Sequence, residues 1–334
     1  MSAIAIDVMG GDHGPHECVP GALRALRSDP ELRLLLVGDA ARIDPLLATL
    51  TQAERARIEI VPASEVVEMH EHPRDAIRRK KSSSMRVCVD LVKAGRAAGC
   101  VSAGNTGALT AIAHFVLKTI PGVERAAIMS AIPSANGHTH MLDLGANTGA
   151  TAVQLGQFAV MGSIVVRDVY GVAAPRVGLL NIGEEDIKGH EIVQEAHALL
   201  AALPVRYVGF VEGDDIFSGE LDVVVTDGFT GNVALKTMEG VAGLIAGRLR
   251  REFGASAASR LAGLVARPVL RRVGADLDPR RYNGACMVGV AGVVVKSHGS
   301  ADALAFSRAV TLAALAARRG LTGHIAQALA AQGS

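Results

Sequence analysis

The chain is poor in aromatic side chains and contains no long apolar run. Its 334 residues include no Trp, three Tyr and seven Phe. Every apolar stretch is shorter than the roughly 18 residues that a bilayer-spanning helix requires, so we expect no transmembrane segment. With 49% apolar and 20% charged residues, the composition is that of a globular protein rather than a disordered one.

Cysteine is scarce, and its spacing forms no motif. The four cysteines, Cys18, Cys88, Cys100 and Cys286, lie far apart and include no C-x-x-C pair. This spacing argues against a zinc ribbon and against a disulfide framework. We therefore expect buried thiols in a reducing cytoplasm and no metal site.

No charge of either sign is in excess, since 34 Lys and Arg residues face 33 Asp and Glu residues. A net charge of +1 argues against a surface that binds nucleic acid. The chain opens on Met1-Ser2-Ala3-Ile4 without the basic and apolar regions of a signal peptide, so we expect a cytoplasmic protein. The G-x-G-x-x-G fingerprint, the Walker A loop and the G-x-S-x-G elbow are also missing, so we expect no nucleotide cofactor and no serine nucleophile.

A strand-like run followed by a polar, glycine-containing turn and a helix-like stretch recurs six times. In an open parallel sheet such turns gather at the carboxyl edge, where ligands bind. Glycine lets backbone N–H groups approach an anion, and the free N–H groups at a helix start bind it. We therefore expect all six turns at one edge, around a crevice for an anionic substrate. The turns are Gly10-Gly11-Asp12, 102–107, 143–147, 181–184, 226–232 and 296–300.

The alternation of strand-like and helix-like stretches predicts an α/β fold with a mostly parallel sheet. Runs such as Val293-Val294-Val295 are continuously apolar, which is typical of a sheet covered by helices on both faces. No linker divides the chain, so we expect a single domain over residues 1–334. Strand-like runs lie near residues 3–8, 33–38, 58–63, 99–103, 126–132, 139–144, 176–182, 206–211, 222–226 and 287–296, and helical spacing occurs at 15–28, 85–95, 105–118, 188–202 and 300–319.

Residues 234–273 depart from this alternation and read as two helices joined near Gly254-Ala255-Ser256. Between Leu244 and Val273 the segment carries seven arginines and one acid, Glu252, so its local charge is 7 − 1 = +6. Apolar side chains share one face of each helix. Two interpretations stay open: contact with an acidic partner or an anionic membrane, and a dimer interface with a basic rim. The arginines are Arg248, Arg250, Arg251, Arg260, Arg267, Arg271 and Arg272.

Histidines, lysines and acids supply the candidate site residues. The pairs His70/His72 and His138/His140 are expected in structural or surface roles, because two ligands alone do not make a metal site. His298 lies in a polar loop after an apolar strand, where a ligand-facing imidazole is expected. Lysines in such turns would form an anion site, and nearby acids could orient them or serve only as turn residues. The lysines are Lys80, Lys81, Lys188, Lys236 and Lys296, and the acids are Asp7, Asp12, Asp143 and Asp227.

Taken together, these segments resemble the bacterial phosphate acyltransferase (PlsX) family, whose members make acyl phosphate from acyl-acyl carrier protein. The resemblance runs from Ile4 to Leu315. After Gly145-Ala146-Asn147 the family usually carries an Asp-Cys pair, whereas this chain has Gly149-Ala150, so we assign no role to position 149. If that Asp matters for catalysis, this protein would be slow or would use another acid. The resemblance rests on nine segments in order: 7–15, 83–87, 102–108, 142–147, 157–162, 180–189, 227–236, 282–285 and 296–302.

The resemblance implies a three-layer α/β/α sandwich related to phosphotransacetylases and isocitrate-type dehydrogenases, working as a homodimer. It implies that the hairpin at 234–273 serves dimerisation and membrane contact, so we expect peripheral association with the inner face of the plasma membrane. The product would pass to the membrane acyl-phosphate:glycerol-3-phosphate acyltransferase. Acyl carrier protein, the implied donor, is acidic and suits a basic docking surface. That surface comprises Arg248, Arg251, Arg260, Arg267 and Arg271.

In the implied reaction, inorganic phosphate attacks the acyl thioester directly, so no side-chain nucleophile is needed. We expect backbone N–H groups of 104–106 and 145–147, with Lys188 and His298, to hold phosphate. Asn232 or Lys296 would face the carbonyl oxygen, and Asp143 or Asp227 would orient a cation. The wider binding set comprises Asp7, Gly10, Gly11, Asp12, Ser83, Ser84, Gly104, Asn105, Thr106, Gly145, Asn147, Asn181, Gly183, Glu185, Thr230, Gly231, Lys236 and Ser300.

Two rival functions stay open. One is a related enzyme of the same fold, such as a phosphotransacetylase that uses acyl-coenzyme A. The other is a non-catalytic peripheral membrane module that recruits lipid-synthesis partners through the basic hairpin, although such a module would not explain the polar turns outside it.

Overall fold

One eleven-stranded sheet runs through the computed structural model, which describes residues 3–185, 187–276 and 278–331. Its strands are β1 (Ala3–Asp7), β2 (Arg33–Gly38), β3 (Ile58–Pro62), β4 (Gly99–Ser102), β5 (Ala127–Ser134), β6 (Gly137–Leu142), β7 (Arg176–Leu180), β8 (Arg206–Val211), β9 (Val223–Val225), β10 (Ala285–Val288) and β11 (Val293–Lys296). They lie in the order β3-β2-β1-β4-β11-β10-β5-β6-β9-β7-β8.

Helices cover both faces of this sheet. They are α1 (Pro15–Ser28), α2 (Ala40–Ile43), α3 (Gln52–Arg55), α4 (Pro73–Arg79), α5 (Ser84–Lys93), α6 (Thr106–Leu117), α7 (Ala152–Tyr170), α8 (Glu191–Ala202), α9 (Gly228–Gly254), α10 (Ala257–Asp276), α11 (Ala303–Arg318) and α12 (Leu321–Ala330). Helices α1, α7, α11 and α12 pack on one face, around the fully buried Phe158 and Phe306. Helices α5 and α6 and the first turns of α9 pack on the other face. The predicted α/β/α sandwich is confirmed.

The central strands are apolar because both of their faces are buried. Val294 contributes to the core under α5 and α6, whereas Val295 contributes to the core under α1 and α11. Both side chains are fully buried, and each such burial stabilises the fold by about 1.5–3 kcal/mol. Continuous apolar runs therefore mark the strands that position the polar turns.

Three consecutive antiparallel pairings divide the sheet into two halves of opposite direction. Strand β5 pairs antiparallel with β6, and β10 pairs antiparallel with both β5 and β11. Strands β1, β4 and β11 are parallel to one another, and so are β6, β9 and β7. The turns after β1, β4 and β11 therefore lie at one edge and those after β6, β7 and β9 at the other. The expectation that all six turns share one edge was wrong.

The apolar run 287–296 is also not the single strand that its sequence predicts. It divides into the end of β10 and the whole of β11, which pair antiparallel through Cys286 and Val295. The intervening Gly289 has φ +90°, a left-handed backbone conformation that favours glycine. Its carbonyl oxygen accepts a hydrogen bond from Ile120 N–H (2.9 Å). This turn reverses the chain and creates one of the three changes of strand direction.

The segment 234–273 lies within α9 and α10, which are joined at Ala255–Ser256. Helix α9 begins earlier than expected, at Gly228, because the Asp227 side chain caps it by accepting the Thr230 N–H. Over the part of the chain that the structure describes, no helix combines the length and the apolar character needed to cross a bilayer.

Candidate active site

The turn after β1 is organised by the buried Asp7 carboxylate. Its Oδ1 atom accepts hydrogen bonds from the N–H groups of Met9 (3.3 Å) and Gly10 (3.2 Å), and its Oδ2 atom accepts one from the Ser102 hydroxyl (2.6 Å). The Ser102 oxygen in turn accepts the Gly104 N–H (3.0 Å). Burial raises the pKa of Asp7, and these hydrogen bonds oppose the rise. Asp7 thus ties the β1 turn to the β4 turn.

Two serines of the predicted binding set lie behind this turn. Ser84 is buried with its hydroxyl beside the Asp7 carboxylate, although the contact does not meet the geometry of a hydrogen bond. Ser83 caps α5, since its hydroxyl accepts the Arg86 N–H (3.3 Å) and donates to the Lys80 carbonyl (2.8 Å). Both serines therefore support the turn from within the protein.

The turn after β11 joins the same group. The Asp12 N–H donates to the Gly299 carbonyl (2.9 Å), which connects it to the β1 turn. His298 Nδ1 lies 2.9 Å from the Ser300 hydroxyl and accepts the Ser300 N–H (3.3 Å). Because Nδ1 accepts a backbone proton, the neutral ring carries its own proton on Nε2. The exposed imidazole of His298 therefore presents a donor to solvent.

The beginning of α6 lies open beside these turns. Asn105 caps the helix by accepting the Ala108 N–H (3.0 Å), and its amide donates to the carbonyls of Met69 (2.8 Å) and Glu71 (2.9 Å). The first N–H groups of a helix have no partner within it, and the Thr106 N–H is one of these groups. Thr106 is exposed, and an anion could reach this helix start.

Lys296 is the one lysine among the described residues that is buried, with 8% of its surface exposed. Its ammonium donates to the carbonyl oxygens of Ala103 (3.2 Å) and Ser297. Burial lowers the pKa of Lys296 to about 8, although the nearby carboxylates of Asp7 and Asp12 oppose that shift. A buried lysine whose pKa is lowered this far by its surroundings is found more often at functional sites than elsewhere.

Across the sheet, Asp143 organises the turn after β6 in the same way. The fully buried carboxylate accepts the N–H groups of Ile128 (2.9 Å), Gly145 (3.2 Å) and Ala146 (3.0 Å) at Oδ1. At Oδ2 it accepts the Asn147 N–H (2.8 Å) and the Asn147 side-chain amide (2.9 Å). The amides of 145–147 are thus occupied by Asp143 rather than free to hold phosphate, and Asp143 orients backbone rather than a cation.

The start of α9 packs tightly against this turn. A Cβ atom at Gly228 would overlap the Asn147 carbonyl oxygen, and one at Gly231 would overlap that of Asp143. The Asn232 amide donates to the Leu144 carbonyl (3.2 Å). Asp227, which caps the helix, also accepts the Thr230 hydroxyl (2.7 Å) and serves as a cap rather than a partner of a lysine.

The loop after β7 contains the predicted Lys188. The Asn181 amide donates to the carbonyls of Gly183 and Lys188 (both 3.1 Å) and holds the loop closed. The Lys188 ammonium lies 3.0 Å from the Glu185 carboxylate, and this pairing raises its pKa. Lys188 therefore belongs to the edge that carries Asp143, not to the edge that carries His298.

A row of paired residues shows how far apart the two edges lie. It crosses four adjacent strands, from Val295 on β11 to Leu142 on β6. Lys296 comes directly after Val295, and Asp143 comes directly after Leu142. Because β11 and β6 run in opposite directions, the two residues lie on opposite sides of this row, about 16 Å apart by strand geometry. Lys296 faces the side of the sheet that α5 and α6 cover, because its strand neighbour Val295 lies in the core on the other side. Asp143 lies against the start of α9, since a Cβ atom at Gly228 would be 2.6 Å from its carboxylate. Lys236 of α9 is close enough to lower the pKa of Lys296.

We take as the candidate site the space between the start of α6 and the start of α9, where Lys296 and Lys236 lie close enough for their charges to interact, and call it the groove. Lys188 lies in the loop after β7, five strands from β11, where it pairs with Glu185 and lies near Glu212. Antiparallel pairing sends the turns after β7 and β11 to opposite edges, and no hydrogen bond or ion pair among the described residues joins Lys188 to His298.

Comparisons with known proteins agree with this architecture. A family model described as "Fatty acid synthesis protein" matches residues 2–323. The chain belongs to this family. Relatives named "Phosphate acyltransferase" from Methylococcus capsulatus and Alkalilimnicola ehrlichii are 57% and 56% identical to it. The first alignment covers 94% of this chain and 92% of the relative, and the second covers 98% and 95%. As a member of this family, the chain is an acyltransferase.

Solved structures show the fold of this acyltransferase independently. A phosphotransacetylase from Streptococcus pyogenes has a TM-score of 0.64 at 18% identity and covers 95% of this chain and 94% of its own. The EutD phosphotransacetylase from Staphylococcus aureus has a TM-score of 0.60 at 16% identity, with coverage of 95% and 94%. At this identity the likeness shows the fold alone.

The α9–α10 hairpin of the acyltransferase is largely exposed. Apolar side chains such as Leu244, Leu261 and Val265 are exposed, the last by 75%. The arginines predicted to contact a carrier or a membrane are exposed as well, so the hairpin presents apolar and basic side chains together. They are Arg248, Arg251, Arg260, Arg267 and Arg271.

One positioning residue escaped the sequence analysis. The Asn283 amide donates to the Ser297 hydroxyl and to the Ala305 carbonyl (both 2.8 Å), and its carbonyl accepts the His298 N–H (2.9 Å). Asn283 therefore fixes the turn that follows Lys296. Its place in the segment 282–285 marked it as part of the family resemblance, but nothing local showed which turn it would reach.

The histidine pairs form no metal site over the described ranges, where no group of three or more His, Cys, Asp or Glu side chains converges. His140 is buried beside Tyr170, with ring centroids 4.1 Å apart, and burial lowers its pKa to about 4. All four cysteines are buried free thiols. Burial raises the pKa of Cys100 to about 12, so the thiol is not activated.

Proposed function

We propose that this acyltransferase moves a fatty acyl group from acyl-acyl carrier protein to inorganic phosphate and so makes acyl phosphate for phospholipid synthesis. The observation that carries the proposal is the buried Lys296, whose ammonium contacts Ala103 just before α6 and lies close enough to Lys236 for the two charges to interact. The names of the relatives support phosphate as the acceptor.

Phosphate would occupy the Lys296 end of the groove. The open N–H groups at Thr106, the His298 imidazole and the two lysine ammonium groups would face its oxygens there. Gly10 lets the β1 and β4 turns pack closely, since a Cβ atom there would lie 2.6 Å from Asp7 Oδ2 and 2.8 Å from Gly104 N. The Asp7 and Asn283 hydrogen bonds would hold these groups in place before phosphate arrives.

The chemical step would need no side-chain nucleophile. A phosphate oxygen attacks the thioester carbonyl carbon and forms a tetrahedral oxyanion. The C–S bond then breaks, the carrier leaves as a thiolate, and the acyl–oxygen bond of acyl phosphate remains. A thiol has a pKa near ~8.5, so the leaving group needs little assistance. The main contributions of the protein would be positioning and stabilisation of the oxyanion by Lys296 or Asn232, each worth roughly 3–4 kcal/mol.

The direct test is incubation with palmitoyl-acyl carrier protein and labelled phosphate, followed by trapping with hydroxylamine. We expect palmitoyl hydroxamate and free carrier in equal amounts, both dependent on phosphate. Thioester loss that does not depend on phosphate would point to hydrolysis and reject the proposal.

The position of Lys236 near Lys296 predicts that Lys236, rather than Lys188, binds phosphate. Replacing Lys236 with alanine should raise the Michaelis constant for phosphate by about tenfold, since a charge facing the anion is lost. Lys188→Ala is the matched control, because it removes the same charge at the other edge. Steady-state kinetics with phosphate varied at saturating donor measure both. An effect of Lys188→Ala as large as that of Lys236→Ala would contradict this placement of phosphate.

The α9–α10 hairpin would supply dimerisation, membrane contact and carrier docking. Its exposed apolar side chains suit a homodimer interface or a lipid surface, and its arginines suit acidic carrier and anionic headgroups. Peripheral contact with the inner face of the plasma membrane would bring acyl phosphate to the membrane acyl-phosphate:glycerol-3-phosphate acyltransferase.

Charge reversal tests the docking role. The triple variant Arg248→Glu/Arg251→Glu/Arg260→Glu should weaken binding to acyl carrier protein by roughly tenfold or more at low salt, and the binding of the unchanged protein should fall with added salt. Arg24→Glu/Arg319→Glu is the control, because both arginines are exposed away from the hairpin. Biosensor titrations across salt concentrations give the answer. Binding that is insensitive to salt and to the triple variant would place docking elsewhere.

Acyl-coenzyme A is the alternative donor, and the likeness of the fold to phosphotransacetylases favours testing it. The exposed hairpin likewise keeps a non-catalytic recruiting role open. Equal rates with palmitoyl-coenzyme A and palmitoyl-acyl carrier protein would support the first alternative. Membrane binding without acyl phosphate formation would support the second.

A further inference from the structure

A cavity of about 590 Å³ opens beside the Asp143 turn, outside the groove described above. Its volume lies within the roughly 300–1,000 Å³ of pockets that take small organic ligands. It lies where the β6 turn passes into α7. Its walls are Arg125, 146–151, Gln154 and Ile192.

The walls combine one cationic group with polar and apolar surface. Arg125 is exposed and supplies a guanidinium, and Thr148 adds a hydroxyl. Ala146, Ala150 and the 40% exposed Ile192 supply the apolar part. Such a lining suits a ligand that has an anionic end and a mixed amide and hydrocarbon body.

Gly149 lines this cavity and adds no side chain to it. A Cβ atom there would meet no other atom within 4 Å, and its φ lies outside the left-handed region, so any side chain would project into free space. The position thus needs no glycine for its own backbone. Asn147, which also lines the cavity, is held by the Asp143 carboxylate, so cavity and groove meet at one rigid turn.

We propose that this cavity binds the phosphopantetheine arm of the acyl donor. The phosphodiester would face Arg125, the amides would face Thr148, and the hydrocarbon part would contact Ile192. The arm would then pass the Asn147 turn with its thioester directed toward Lys296. This inference rests on the proposed thioester donor and adds the place where the donor is recognised.

The test fills the cavity and removes its charge in separate variants. Gly149→Leu should raise the Michaelis constant for palmitoyl-acyl carrier protein by at least about tenfold, or roughly 1.4 kcal/mol of binding, and leave that for phosphate unchanged. Arg125→Gln should act in the same direction. The matched controls are Gly323→Leu, on the exposed side of α12, where a Cβ would also meet nothing within 4 Å, and Arg319→Gln. Unchanged donor constants in both cavity variants would overturn the proposal.

Two further measurements test the phosphopantetheine subsite separately from the proposed acyl transfer. Because carrier protein and coenzyme A share the arm, Gly149→Leu should raise the Michaelis constants of both thioesters by the same factor. An effect on the coenzyme A thioester alone would mean that the cavity binds the nucleotide, and would overturn the proposal. Calorimetric titration with free 4′-phosphopantetheine needs no turnover. Binding that Gly149→Leu abolishes would support the subsite even if no acyl phosphate formed, and absence of binding to the unchanged protein would reject it.

Discussion

Replacing Gly231 with alanine is expected to destabilise the protein by about 3 kcal/mol or more, the upper part of the range for overpacked sites. The added Cβ would overlap the Asp143 carbonyl oxygen and lie 3.0 Å from both the Asp143 carbonyl carbon and the Thr226 methyl group. These neighbours cannot yield easily, because the Asp143 carboxylate is fixed by five hydrogen bonds. Either α9 or the Asp143 turn must move.

Thermal and guanidinium unfolding, followed by circular dichroism, would measure this loss, with a decrease in Tm of roughly 5 °C. Gly240→Ala is the matched control in the same helix, since a Cβ there meets nothing within 4 Å. That change should be neutral or stabilise by up to about 1 kcal/mol, because alanine favours helix. Equal stability of Gly231→Ala and Gly240→Ala would show that α9 does not dock on the Asp143 turn as closely as described.

The same contact shows what sequence analysis could and could not predict. The segments 143–147 and 226–232 were both predicted as functional turns, and the structure places them against each other. Their sequences did not reveal that the Asp143 side chain would occupy the amides of 145–147. An Asp followed by Gly and Asn suits an open anion site as well as a closed turn. Only two distant features distinguish them: the Ile128 N–H, which donates to Asp143, and the close packing of α9 against the turn.

The strand directions were missed for a related reason. A parallel α/β arrangement follows from alternating strands and helices, and most of the sheet obeys it. The exceptions depend on short connections: Ala135-Asn136 between β5 and β6, and 289–292 between β10 and β11. Both are short hairpin connections, but the second lies within an apolar run and reads as continuous strand. These few residues determine which candidate side chains can meet in the groove.

Lys296 is where the choice between a structural and a catalytic role can be decided most sharply. Lys296→Met should lower kcat/KM for acyl phosphate formation by about 10²–10³, the effect expected when a preorganised donor to the oxyanion is lost. Lys93→Met, at the exposed end of α5, is the control and should retain activity. If Lys296→Met keeps the Tm of the unchanged protein, unfolding does not explain the decrease in kcat/KM.

The pKa of Lys296 also predicts how this substitution affects stability. It is lowered from 10.5 to about 8 in the folded protein, chiefly by burial. Below pH 8 both states carry the charge, and the full cost of burying it, about 3 kcal/mol, is present. Between pH 8 and 10.5 the unfolded chain binds more protons than the folded one, so stability rises with pH. Above pH 10.5 Lys296 is neutral in both states, so the cost of burying its charge is absent.

The difference in unfolding free energy between Lys296→Met and the unchanged protein isolates this one group. We expect that difference to shift in favour of the unchanged protein by about 3 kcal/mol as pH rises from 7 to 11, because only the lysine loses a buried charge. Denaturant titrations at several pH values measure it. A residue that serves only the fold has no reason to carry such a cost near neutral pH, whereas an oxyanion donor does. A difference that stays constant with pH would mean that Lys296 is solvated, and its assignment to the reacting groups would then fail.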